Sequence, residues 1–183
     1  MLIAIIAATL AWLVVWGVSI QRRLMIMDEN INSAMSQIGM QLSTCFDVLT
    51  ALLDLTRGYD APESQTLIAE IISRRSVITD KSVPEDVLKQ EGVISEVLDR
   101  IFMMAERYPE LKTNENYMKC MNAVDGYEKM VCTSRLIYND SVAKFNRELR
   151  MFPASLLGRL FGFCQREYLE EVLGVRRVNR GID

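Results

Sequence analysis

Apolar positions follow two patterns along this chain. From Leu2 to Ile20 they form a run without any charge, and a helix of that length, rising about 1.5 Å per residue, reaches roughly 30 Å, the thickness of a bilayer's hydrocarbon core. Beyond Arg22 and Arg23 the pattern becomes periodic. Leu24, Ile31, Met35, Ile38, Leu42, Cys45, Leu49 and Leu52 recur at alternating steps of three and four, interrupted by Asp28, which makes a narrow stripe on an amphipathic helix. The stripe predicts one helix from the apolar run to Arg57, where Gly58 supplies a C-cap and Asp60-Ala61-Pro62-Glu63 a fresh start.

Three more stripes follow. Leu67, Ile68, Ile71, Ile72 and Ile78 mark a second helix that fades at Thr79 to Ser82. Ser82-Val83-Pro84-Glu85 then opens a third, which carries Val87, Leu88, Ile94, Val97, Leu98, Ile101, Phe102 and Ala105 and stops at Pro109. A fourth begins near Asn114, holds Tyr117, Met121, Val124, Val131, Tyr138, Val142, Phe145 and Leu149, and is broken by Phe152-Pro153. Strand signals are lacking: there are no period-two runs and no Asn-Gly turns. The expected fold is all-α: one N-terminal transmembrane helix (residues 1–21) continuing into an antiparallel up-and-down four-helix bundle (22–152), then a short helical tail (153–183).

Predicted lengths orient that bundle. Helix one beyond the membrane and helix four are about 36 and 38 residues, against about 18 and 25 for the middle pair, at 1.5 Å per residue. The long pair therefore runs the full height, with Gly58 to Pro62 and Tyr108 to Asn114 at the distal tip and Phe152 back beside Arg22 and Arg23. By the positive-inside bias those arginines put the bundle in the cytoplasm, with the N-terminus out. A cleaved signal peptide is the competing reading, but no basic residue precedes the run and the run is longer than an ordinary signal core.

Composition narrows the chemistry. The chain has 183 residues, is half hydrophobic and carries a formal charge of −3, without the basic excess of a nucleic-acid module. It contains no histidine, so nucleophile–histidine pairs and His-containing zinc or diiron sites are impossible within it. Cys45, Cys120, Cys132 and Cys164 are widely spaced and read as reduced thiols. Met103-Met104 reads as core filler, and no glycine-rich phosphate cradle occurs. No enzyme activity, cofactor or metal is expected.

Several residues stand out from the stripes. Glu128 and Arg135 fall on seam positions of helix four, about 10 Å apart along the helix, so each needs a partner elsewhere; Gln37, Gln41, Asn139 and Asn146 flank the seams and suggest a polar network that fixes register. In Arg107 to Lys119, Tyr108 and Pro109 end one helix while Thr113 or Asn114 caps the next. Tyr108, Pro109, Lys112, Asn114 and Asn116, with Tyr59, are candidates for docking a cytoplasmic protein, since Lys112 and Asn116 are not demanded by the turn. At the other end Arg22, Arg23, Phe161, Phe163, Arg176 and Arg177 suit a membrane interface, where arginine meets anionic headgroups; alternatively Leu156, Leu157, Leu160 and Phe161 cap the open end of the bundle.

Asn32 to Ile38 with Gln41-Leu42, Arg57-Gly58-Tyr59, Glu106 to Asn116, Tyr138 to Val142, Phe145-Asn146 and Phe152 to Phe163 together resemble the LemA family in order and spacing. The resemblance implies a single-span bacterial or archaeal membrane protein with a cytoplasmic helical bundle, and supplies no catalytic residue set. Thr50 stands where that family has a proline, which removes the cause of a kink in helix one. Two functions compete: a homo-oligomeric membrane scaffold, and a regulatory adaptor that binds a protein at its distal tip.

Overall fold

The computed structural model describes residues 1–56 and 61–169, and among them the secondary structure is helical. α1 runs unbroken from Leu2–Thr56, followed by α2 (Ala61–Arg74), α3 (Pro84–Arg107), α4 (Pro109–Thr113), α5 (Glu115–Arg150) and α6 (Ala154–Leu160). At Thr50 the hydroxyl donates to the carbonyl of Phe46 at 2.9 Å, a bond within the helix that proline could not make.

α1 has two environments. Its N-terminal segment is long and apolar enough to cross a membrane, and the most apolar eighteen-residue window is 0% buried. From Leu24 onward the predicted stripe is buried from end to end, with Leu24, Ile38, Leu49 and Leu52 fully enclosed. Ion pairs fix the directions of the helices around it. Arg23 meets Glu148 at 3.3 Å, and Cys45, much farther along α1, feels the charge of Glu128. Numbers thus fall along α5 as they rise along α1, so the long pair is antiparallel. Arg74 with Glu96 and Arg100 with Glu70 give the same sense for α2 against α3.

The middle pair is short, as predicted, and covers the distal half of α1. Arg75 reaches Asp47 at 2.7 Å, with its guanidinium 5.9 Å from the centre of the Phe46 ring. The link after α2 then lies directly on α1. A Cβ at Gly39 would collide with the carbonyl oxygen of Ile78, so only glycine allows this approach. Gln90, buried in the α3 stripe, accepts from Ser76 N–H at 2.9 Å and donates to the Arg74 carbonyl at 3.2 Å, latching the non-helical link to α3.

The tail opens, as expected, with a short helix, α6. Gly162 then turns the chain at φ 78°, and residues 163–169, the last described, run without helix back along α5. The basal half of the molecule is therefore two helices closed by a non-helical strap.

Candidate functional site

The basal end is built around this strap. A segment without its own helix leaves a main-chain donor and acceptor at each residue to be satisfied elsewhere. Here α5 supplies the partners. Asn146 donates to the Arg166 carbonyl at 2.8 Å and accepts from the Arg166 N–H at 2.9 Å. Asn139 does the same for Leu169, both bonds at 2.8 Å. Tyr138 donates its hydroxyl to the Glu167 carbonyl at 3.1 Å, and burial holds that phenol above its ordinary value.

Spacing explains why two asparagines fit. Seven residues of helix advance about 10.5 Å, and three residues of extended chain advance about 10 Å. Asn146 and Asn139 thus fall in register with Arg166 and Leu169. Three further contacts seat the strap: Leu169 is buried, Phe163 packs edge-on against Phe145 at 6.1 Å, and Arg166 crosses to α1, where it grips both carboxylate oxygens of Asp28 at 2.9 and 3.1 Å. Asp28, the break in the α1 stripe, is the anchor for that arginine.

The predicted polar network is redistributed. Arg135 pairs with Glu91 of α3, with contacts of 2.9 and 3.2 Å from one guanidinium nitrogen. Both side chains are largely enclosed, at 14% and 17% exposure. Burial raises the Glu91 carboxyl above its ordinary value and outweighs the opposing pull of Arg135. Asn139 and Asn146 serve the strap, Gln37 and Glu128 are exposed, and the buried Gln41 Oε1 makes no hydrogen bond. These residues do not form one register-setting cluster, because the strap claims the asparagines. Gln90 was missed; its signal was a polar residue at stripe spacing between Val87 and Ile94.

Other candidates separate by position. Arg22 and Phe161 are exposed, whereas Arg23 pairs with Glu148 and Phe163 turns inward, past Gly162, against Phe145. Arg176, Arg177 and Tyr59 lie outside the described residues. At the distal corner Asn114 caps α5, accepting from the N–H groups of Asn116 and Tyr117 at 2.9 and 3.4 Å. Pro109 opens the one-turn α4, Tyr108 is half-buried, and Lys112 and Asn116 are exposed. Cys45 is inert as a nucleophile: burial, aided by Glu128, pushes its thiol up to about 12. Among the described residues no group of three His, Cys, Asp or Glu is arranged to hold a metal ion.

Residues 34–178 match the LemA family, most of the chain and nearly all of the region beyond the apolar segment. The chain belongs to the LemA family. Curated relatives include Magnetosome protein MamQ 2 and Magnetosome protein MamQ 1 of Paramagnetospirillum magneticum, each 27% identical over 46% of this chain and 31% of their own length. Magnetosome protein MamQ of Magnetospirillum gryphiswaldense is 24% identical over 52% of this chain and 35% of its own. The LemA chain thus spans about a third of these relatives. The family match includes both latching asparagines and the strap, while Asp28, the anchor of Arg166, precedes it.

Proposed function

We propose that this LemA-family protein is a membrane-anchored helical scaffold, N-terminus out, that self-associates and organises the membrane or partner proteins without catalysing a reaction. The observation that carries the reading is the continuity of α1. One helix leads from a wholly exposed apolar segment into the fully buried stripe of the domain, so the domain is held rigidly at the end of its anchor. Arg22 and Arg23 directly after the span favour a cytoplasmic domain. Self-association is supported by a groove of about 360 Å³ between α1 and α5, where Met27, Ala34 and Ile137 lie among the polar Asn30, Ser33, Gln37, Ser141 and Lys144. Leu136 and Met40 are exposed apolar residues on these two helices as well.

A second reading, a regulatory adaptor, is favoured by the distal corner. Asn114 already satisfies the turn there, which leaves Lys112 and Asn116 exposed for a protein partner. Mass measurement on the full chain extracted in mild detergent separates the two. The scaffold predicts a discrete multiple of the 20.9 kDa protomer. A strict monomer across the concentration range overturns it and leaves the adaptor.

A further inference from the structure

α6 buries the wrong residues for a helix in water. Its inward positions are Ala154 and Gly158, one turn apart and both buried. Gly158 lets α6 sit close, since a Cβ there would lie 2.6 Å from Leu149 Cδ2, which would have to move, and 3.8 Å from Leu24 Cδ1. Leu157 is half-buried, and the other large apolar side chains here point away. Phe152, Leu156 and Leu160, at steps of four, are 80%, 67% and 77% exposed, and Met151 and Phe161 extend the patch. A soluble domain turns such residues inward and the small ones outward.

The height of α6 along α1 identifies what covers it. Leu24, beside Gly158, lies three residues beyond the apolar segment, about 4.5 Å along the helix. The headgroup layer on each side of a bilayer is roughly 5–8 Å deep, so α6 falls within it. Cations surround the patch: Arg22, Arg150 and Arg159 are exposed. Of the nearby acids, Glu148 is already paired with Arg23.

We propose that α6 is a foot that lies in the headgroup and upper acyl region of the bilayer crossed by α1, with Phe152, Leu156 and Leu160 immersed and the arginines on lipid phosphates. The foot fixes the domain's tilt and rotation on its anchor. This rests on α1 spanning the membrane, a reading that Trp12 and Trp16 test separately from within the span.

The full chain is reconstituted into vesicles of phosphatidylethanolamine and phosphatidylglycerol, with and without brominated acyl chains. Native Trp12 and Trp16 report the span. In a Trp12→Phe, Trp16→Phe background, Leu160→Trp reports the foot and Met130→Trp, exposed on α5, is the aqueous control; circular dichroism confirms helical content in each. The foot predicts blue-shifted emission for Leu160→Trp and quenching by bromolipid at least two-fold stronger than for Met130→Trp. Emission like that of the control overturns the foot while quenched Trp12 and Trp16 leave the span standing. Blue-shifted but unquenched emission also overturns it, assigning the face to a protein contact. Unquenched Trp12 and Trp16 overturn the span, and the foot with it.

Discussion

The two halves of the molecule cover one stripe of α1 by different means. In the distal half the stripe is closed by α2, α3 and α5, whose main chains satisfy their own hydrogen bonds, so their contacts with α1 are mostly side chain on side chain. In the basal half α5 shares the work with a strap that has no helix of its own. Asn139 and Asn146 beside the α5 stripe therefore read main chain, and Asp28 in the α1 stripe holds the Arg166 side chain. The link after α2 makes the same point on a smaller scale, since Gln90 latches it as Asn139 and Asn146 latch the strap. A buried amide in a helical stripe is, in this fold, the mark of a non-helical segment lying across it.

The comparison breaks most readily at the asparagines. Replacing Asn139 and Asn146 together by Ala leaves main-chain groups of Arg166 and Leu169 without partners. Residues 164–168 are exposed, so water recovers some of these groups; at about 1–3 kcal/mol for each asparagine removed, the pair should cost roughly 2–6 kcal/mol in urea unfolding. Hydrogen exchange should quicken at residues 164–169 before it changes in α3. Uniform loosening of both halves would mean that the strap is not a separate closure.

Gly39→Val attacks the distal half. The side chain must displace the Ile78 carbonyl, and overpacking of this kind costs typically 1–3 kcal/mol. The added exchange should appear in residues 75–83 and leave the strap protected. Intact stability would show that the link can move aside.

Arg135→Ala sharpens the contrast least, since what it takes from Glu91 is a side-chain partner. The stranded Glu91 should cost about 1–2 kcal/mol at neutral pH, in the range for an enclosed polar group that loses its partner. Burial already holds the Glu91 carboxyl above its ordinary value, so the native chain binds its proton more tightly than the unfolded chain. The contribution of Glu91 is most favourable below the ordinary carboxylate value and is lost as the pH rises through the raised one. The penalty of Arg135→Ala should therefore shrink on acidification, when Glu91 is protonated. A penalty independent of pH would place its origin in lost packing rather than charge.

Much of this was legible in the residues. The apolar run, the α1 stripe, the start of α3 at Pro84, the Asn114 cap and the break at Phe152-Pro153 are local signals. Each depends on residues within a turn or two of one another. The strap was not legible, because Arg166 and its anchor Asp28 are 138 residues apart in the chain. Nothing near Asn139 or Asn146 says which main chain they will meet. Periodicity could mark the two asparagines as polar residues beside the seam, but only the fold brings the strap's main chain to them.

By itself, then, the sequence determined that this LemA-family chain is all-helical, where most of its helices begin and end, and that its first helix carries an apolar segment of membrane-spanning length. Periodicity and capping are properties of neighbouring residues and survive in any context. The tertiary structure decided which partner each polar stripe residue takes, that Phe161 faces out while Phe163 faces in, and that α6 turns its small residues inward. Those outcomes depend on which surfaces meet when the long antiparallel pair closes, which no local window contains.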